Sequence, residues 1–456
     1  MIQTHPLAAS TLLAIRKQGG VASAAELQAA LGVSQPTVSR SLAALIQSGQ
    51  VLKVGSTRHQ RYVVPRTVAG VGQTVPIMRV GVHGQASPFA RMVLLEGGGV
   101  WLDEADGVSQ KHDGLPWFLN DMRPQGFIGR TFAYAHPELQ LGADPGKWND
   151  DDVLRAMVLF GEDLPGNLIV GEAAFARFHT LPERASRAAS ELEYPAFAER
   201  AMQGTVGGSS AGGEQPKFCT IRNGQHVLVK FSPSGDSPTD QRTRDLLVCE
   251  HLALQTLSTA GLPAAQTQLF TVAGRMFLES VRFDRPAISP NTPYNPQGLG
   301  RQGMVSLQVY DAEYIGNEDN WAATAERMLA RGLMTSQDAR HLCFLEAFGQ
   351  LIANTDRHYG NISLLLEGSQ NGGDWTLSPT YDMLPMFYAP VGGELVQRDF
   401  AAGLGVKGKP QPTSATLPEW LNALALAIQF WQTVAADTRI SAAFRVIAAE
   451  NALKLS

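Results

Sequence analysis

Three polar side chains in the C-terminal third of the chain, Asp356, Asn361 and Asp382, could together run a phosphoryl transfer. Asp356 stands in Asn354-Thr355-Asp356-Arg357-His358-Tyr359-Gly360-Asn361, and Asp382 follows on Leu377-Ser378-Pro379-Thr380-Tyr381. A carboxylate placed to take a hydroxyl proton, beside an amide and a second carboxylate able to hold Mg²⁺, is the arrangement such chemistry needs. Upstream, residues 204–217 pack five glycines and three hydroxyls into fourteen positions. A loop of that composition lets backbone amides approach phosphate oxygens without obstruction by Cβ atoms. Lys230, the one lysine in the apolar run His226 to Phe231, could reach those phosphates, and Glu250 is a candidate partner for its charge.

Each feature alone has an ordinary explanation. An Asx-capped polar loop, a flexible linker, a surface lysine and a solvated glutamate would do. The positioning elements make the case. Ile362 to Leu366 and the run from Trp375 read as two strands of a hairpin, which would bring Asn361 beside Asp382. Phe218 to Ile221 and His226 to Phe231 are strands, Asp245 to Ala260 is a helix, and Met276 to Val281 is a strand leading into Arg282-Phe283-Asp284-Arg285. There the chain could cross from a small lobe to a large one. Gly-rich loop, Lys strand, Glu helix, crossing strand, Asp-to-Asn loop and final Asp form one order, far harder to obtain by chance than any single part.

The 456 residues predict about three domains. With 44% hydrophobic and 17% charged residues the chain is ordinary globular protein. No apolar run reaches the roughly 18 residues of a membrane helix and no signal-peptide pattern is present, so a cytoplasmic protein without membrane partners is expected. Cys219, Cys249 and Cys343 are scattered and odd in number, which predicts buried thiols rather than a disulfide framework or zinc site.

The net charge of −5 conceals an asymmetry. Residues 1–66 hold Arg16, Lys17, Arg40, Lys53, Arg58, Arg61 and Arg66 against Glu26 alone, so 7 − 1 = +6, leaving −11 for the rest. A polyanion partner for the first part follows from that. Leu12 to Lys17 begins a helix; Ser23 and Glu26 make a capping box for Ala24 to Leu31. Ser34 caps Gln35 to Ser48, with Pro36 in the first turn. Val38, Leu42, Leu45 and Ile46 face a core, which leaves Gln35, Thr37, Ser39 and Arg40 outward for double-stranded DNA. Residues 51–54 and 61–64 form a wing with Arg58 and Arg61 on it. This module resembles the winged helix-turn-helix of bacterial regulators, and such DNA readers are commonly dimers. A winged helix used only for protein contacts is the competing reading, which the +6 charge disfavours.

Residues 66–74 read as a short linker. Beyond it, Ile77 to Val82 and Arg91 to Leu95 are strand candidates, Gly114 to Gly126 is an aromatic-rich helix, and Asp150-Asp151-Asp152 caps Val153 to Phe160. The region reads as a packing subdomain without chemistry of its own. At the C-terminus, Leu421, Leu424, Ile428, Phe430 and Trp431 belong to a core helix, and Ile440 to Leu453 makes a second.

Residues 209–217, Val281-Arg282-Phe283-Asp284-Arg285, 354–361 and Tyr381-Asp382-Met383-Leu384-Pro385 resemble the HipA family of bacterial serine/threonine kinases, in its YjjJ-type branch with a fused N-terminal helix-turn-helix. The resemblance spans about residues 75–450. It implies an α+β chain: the winged helix at 1–66, a HipA N-terminal subdomain at 75–180, a kinase-like small lobe with the Gly-rich loop and hinge at 181–285, and a helical large lobe at 286–456. It also implies ATP and Mg²⁺ as cofactors, Asp356 as catalytic base, and Asn361 and Asp382 as metal ligands. Ser210, Ala211, Gly212, Gly213 and Lys230 would contact phosphates, with Glu250 paired to the lysine. Glu279 and Val281 would line the adenine through hinge backbone groups, and His358 and Tyr381 would flank the site. Autophosphorylation on Ser209 or Ser210 would expel the loop, since a doubly charged phosphate repels those of ATP. The family's toxins phosphorylate an aminoacyl-tRNA synthetase, which makes such a synthetase the candidate protein substrate. A small-molecule phosphotransferase would share the same polar residues, and a DNA-binding regulator with a silent kinase fold is the third possibility.

Overall fold

The computed structural model describes residues 6–55, 60–203, 215–289, 295, 297–367, 374–400 and 410–456. They build the expected α+β organisation, a winged helix-turn-helix ahead of a bilobal body whose C-terminal lobe is mostly helical.

The N-terminal domain runs α1 (Ala8–Lys17), β1 (Val21–Ala22), α2 (Ala24–Leu31), α3 (Gln35–Gln47), β2 (Leu52–Val54) and β3 (Arg61–Val63). The Ser23/Glu26 capping box forms as expected, and Gly32 closes α2 at a left-handed φ of 65°. Ser34 precedes α3 without capping it, because its hydroxyl bonds Thr37 Oγ1 at 3.0 Å instead of a backbone amide. Val38, Leu42 and Leu45 are buried, whereas Ile46 is 37% exposed and lies off the packed stripe. The wing has three strands in the order β1-β3-β2, because Val21 and Ala22 pair with β3. Arg58 falls outside the described residues.

The segment expected to be a linker is packed. Arg66 N donates to Leu94 O at 2.9 Å, the Arg66 guanidinium meets Asp151 at 2.6 Å, and Val68 is buried. Val54 and Val63 share a hydrophobic cluster with Val93, Leu95 and Trp101 of the next domain. A three-stranded wing cannot cover its own apolar face and takes cover from its neighbour.

That neighbour is an antiparallel sheet in the order β7-β6-β5-β4-β8, built from β4 (Thr74–Val80), β5 (Ala86–Leu94), β6 (Val100–Glu104), β7 (Ser109–His112) and β8 (Leu168–Val170). The aromatic stretch after it is a tight 3₁₀ turn, Trp117–Met122, rather than a full helix. α4 (Gly126–Ala135) and α5 (Asp150–Phe160) follow; Asn149 caps α5, and the three aspartates occupy its first turn, where their charge suits the helix dipole. α6 (Glu172–His179), α7 (Leu181–Arg184) and α8 (Tyr194–Gln203) lead to the small lobe.

The small lobe comprises β9 (Lys217–Arg222), β10 (Gln225–Phe231), α9 (Pro238–Thr259), β11 (Thr267–Val272) and β12 (Arg275–Val281), with the sheet order β11-β12-β10-β9. α9 starts well before Asp245, because Ser237 and Asp240 form a capping box around Pro238.

The large lobe holds β13 (Met304–Ser306), α10 (Leu307–Tyr314), α11 (Trp321–Ala330), α12 (Ser336–Leu351), β14 (Ser363–Glu367), β15 (Asp374–Leu377) and the terminal helices Trp420–Ala436 and Ala442–Leu455. The expected hairpin forms, with Leu364 opposite Leu377. One core cluster joins α9, α12 and the terminal helices around Phe348, Phe430 and Trp431. Leu421, expected inside, is 76% exposed. All three cysteines are free, Cys249 and Cys343 buried and Cys219 partly so. Among the described residues no helix is long and apolar enough to cross a membrane.

Candidate active site

The register of the small-lobe sheet decides which side chains meet. Lys230 stands opposite Leu278 of β12 and Lys217 of β9, on the face covered by α9. There its ammonium reaches both carboxylate oxygens of Glu250, at 2.7 and 2.8 Å, and also bonds Asp382 from the other lobe. Burial pushes the Lys230 ammonium below the usual lysine range, with Lys217 adding to the push and Glu250 opposing it.

The loop carrying Asp356 is pinned from several sides. It leaves α12 through Ala353, a non-glycine residue at φ 59°, whose carbonyl accepts from Phe387 N. Buried Asn354 accepts from Asp356 N at 2.9 Å, and Asn361 Nδ2 donates to Asp356 O at 2.8 Å, closing the loop on itself. Arg357 bonds Glu346 of α12 at 3.0 Å and also the Asn354 carbonyl. The Tyr359 hydroxyl, buried, meets Thr324 and Asp319, while Trp321 Nε1 donates to His358 O at 3.2 Å. The Asp356 carboxylate itself is exposed. His358 is also exposed, and its Nδ1 accepts from Gly360 N at 3.0 Å.

Tyr381 ties the third segment to this loop. Its hydroxyl donates to Gly360 O at 3.1 Å and bonds Ser363 Oγ at 2.7 Å, and burial raises its phenol. Asp382 follows at φ 53°, a left-handed conformation that costs a non-glycine residue energy and aims its carboxylate at Lys230. The residues fit a magnesium ion. With its Nδ2 committed to the Asp356 carbonyl, Asn361 keeps its amide oxygen as a donor, and Asp382 supplies a carboxylate, hard oxygen ligands of the kind Mg²⁺ takes.

The two residues expected at the hinge lie within the sheet. Glu279 is paired on both sides, with Val229 and Gln268, and its side chain lies on the sheet face away from Lys230. There it bonds Arg222 at 2.6 Å and also Tyr194. The Val281 amide donates to Gln266 O at 2.9 Å. Sheet pairing therefore engages the Glu279 backbone and the Val281 amide. Past the strand, Phe283 lies against Tyr381 with ring centroids 5.6 Å apart. The rest of that motif is an interdomain latch. Arg282 and Arg285 both grip Asp284, while Arg285 and Arg301 reach Asp163 of the middle domain at 3.1 and 2.8 Å. Burial works against the Asp284 carboxylate, yet the two arginines outweigh it and hold it well below the usual carboxylate range.

Of the DNA-facing set, Gln35, Ser39 and Arg40 are exposed, Thr37 and Arg61 partly so. Ser209, Ser210, Ala211, Gly212 and Gly213 lie outside the described residues, as does Arg58.

Residues 3–61 match the MarR family, 71–179 the YjjJ-like toxin middle domain, and 209–452 the HipA-like C-terminal domain. Toxin YjjJ of Escherichia coli (strain K12) is 37% identical over 445 residues, covering 96% of this chain and 95% of that protein. The chain belongs to the YjjJ-like toxin family. Its fold is also similar to a chain in the Shewanella oneidensis MR-1 HipA, HipB and operator DNA complex, at a TM-score of 0.51 and 15% identity, covering 83% of this chain and 96% of that one. At that identity the likeness concerns the fold alone.

Several residues that hold the site of this YjjJ-like chain escape a reading by motif. Tyr359 and Arg357 sit inside the Asp356 motif, yet their partners Thr324 and Glu346 lie on α11 and α12 and Asp319 in the loop before α11. Lys217 shares the Lys230 face through the β9–β10 pairing, and alternation along Lys217–Arg222 was the available signal.

Proposed function

We propose that this YjjJ-like chain transfers the γ-phosphate of ATP to a serine or threonine of a protein. The observation that carries this reading is the buried Lys230–Glu250 pair, bridged to Asp382 of the opposite lobe. Lys230 contacts the nucleotide phosphates and Glu250 keeps the ammonium in place. Asp356 accepts the proton of the attacking hydroxyl; its exposure leaves it open to a protein side chain. Asn361 and Asp382 would hold Mg²⁺, which when bound would supply charge neutralisation for the transferring phosphate. His358 and Tyr381 border the cleft, and the Gly-rich loop around Ser209 to Gly213 covers the phosphates. Autophosphorylation at Ser209 or Ser210 switches the enzyme off by charge repulsion.

The winged helix binds double-stranded DNA through Gln35, Thr37, Ser39, Arg40, Arg58 and Arg61, placing a regulator and a toxin-like kinase on one chain. Arg16 and Arg66 pair with Glu96 and Asp151 of the middle domain, so Lys17, Arg40 and Lys53, all exposed, carry the phosphate contacts with Arg58 and Arg61. An aminoacyl-tRNA synthetase is the candidate substrate by family resemblance.

The test is incubation with γ-labelled ATP and Mg²⁺ beside an Asp356→Asn variant, followed by mass mapping. Label on Ser209 or Ser210 that disappears in the variant is expected. ATP binding without label would instead favour a small-molecule substrate. Gel-shift affinity unchanged by removing residues 1–66 would overturn the DNA-binding role.

A further inference from the structure

A cavity of about 410 Å³ lies where the middle domain meets the large lobe, and neither Lys230 nor Asp356 lines it. Its walls include Phe89 of β5, Trp117 and Phe118 of the 3₁₀ turn, Tyr314 of α10 and Trp375 of β15. The rings pack edge to face: Phe89 on Phe118 at 5.4 Å and 82°, Trp117 on Phe118 at 5.7 Å and 79°, Trp117 on Tyr314 at 5.5 Å and 75°. Ring faces carry the negative end of the aromatic quadrupole. One face is already used that way, with the Arg79 guanidinium 4.3 Å above Phe89.

Charge points the same way. Glu104, Asp106 and Glu313 line the cavity against Arg79 alone, an excess of two negative charges (3 − 1). Glu104 comes from the middle domain and Glu313 from α10, and both act on the Tyr314 phenol. Burial and Asp106 together raise the Glu104 carboxyl, so a further cation beside it would be welcome.

We propose that this cavity binds a small organic cation of the guanidinium or alkylammonium class, held between the ring faces and the carboxylates of Glu104 and Glu313. Its volume suits a small molecule, since such pockets run from roughly 300 to 1,000 Å³. Aromatic faces backed by carboxylates are the chemistry that recognises such cations. The ligand bridges middle domain and large lobe, and through Leu366 and Trp375 it touches the hairpin that begins just past Asn361.

Calorimetry on the full chain tests this with three probes: butylguanidine, its uncharged analogue butylurea, and a capped Gly-Arg-Gly peptide. Saturable binding of butylguanidine is expected, with the urea analogue weaker by about tenfold or more. A Glu104→Gln/Glu313→Gln variant should lose about tenfold in butylguanidine affinity while keeping its melting temperature. Tighter binding of the peptide would make a polypeptide side chain the source, and tighter binding of butylguanidine a free cation. No saturable binding at millimolar concentration, or equal binding of the urea analogue, overturns the proposal. The urea comparison uses the unaltered chain and decides even if the variant misfolds.

Discussion

Lys230 of β10 and Glu250 of α9 meet at 2.7 Å with both side chains almost wholly buried, and Asp382 of the other lobe closes on the same ammonium. One lysine thus joins strand, helix and opposite lobe. Glu250→Gln keeps the shape but removes the charge that holds Lys230. Phosphotransfer should fall by about a hundredfold. Lys230→Met leaves two carboxylates unpaired and should also destabilise the fold by about 3–5 kcal/mol, read by urea unfolding.

Asp356 behaves differently, because its carboxylate is exposed and makes no hydrogen bond or ion pair among the described residues. Asp356→Asn should leave stability unchanged to within about 0.5 kcal/mol. Its label transfer should fall by about a thousandfold. A marked fall in melting temperature would mean the side chain is structural.

Arg285 is fully buried between Asp284 and Asp163. Arg285→Met should cost about 1–3 kcal/mol, since it takes one of two arginine partners from Asp284 and from Asp163, which keep Arg282 and Arg301. Limited proteolysis should then cut between the middle domain and the small lobe before the lobes themselves unfold.

The N-terminal domain is held by a close backbone approach. A Cβ on Gly97 would lie 2.6 Å from the Gly19 carbonyl oxygen. Gly97→Ala should therefore cost about 1–3 kcal/mol. Hydrogen exchange should quicken at residues 19–22 and 93–97 if the domains separate there, and unchanged exchange would show that they do not depend on this contact.

Two buried histidines set an acid limit. Burial lowers His226 and His251 from an ordinary 6.5 to about 4. The unfolded chain then binds protons that the folded one refuses, so stability is full above pH 6.5 and is lost as pH falls toward 4. Melting temperature should drop by several degrees between pH 7 and 5, and His226→Gln should flatten that drop.

The sequence by itself determined the local parts. The Ser23/Glu26 box, the buried stripe of Val38, Leu42 and Leu45, the β14–β15 hairpin and the order of Lys230, Glu250, Asp356, Asn361 and Asp382 all follow from short-range periodicity, capping and motif spacing. Tertiary structure decided whatever depends on register and on partners distant in the chain. Glu279 lies one residue from the Lys230 face, and the pairing of β12 with both neighbours turned it away. Residues 66–74 read as a linker because nothing local announces that Val68 and Arg66 find partners beside Leu94 and Asp151. Asp284 and Arg285 read as a hinge because their partner, Asp163, is more than a hundred residues away. Side-chain burial and ion pairing at such separations are settled only when the sheets and lobes pack, and that packing made the latch, the docked winged helix and the seam cavity.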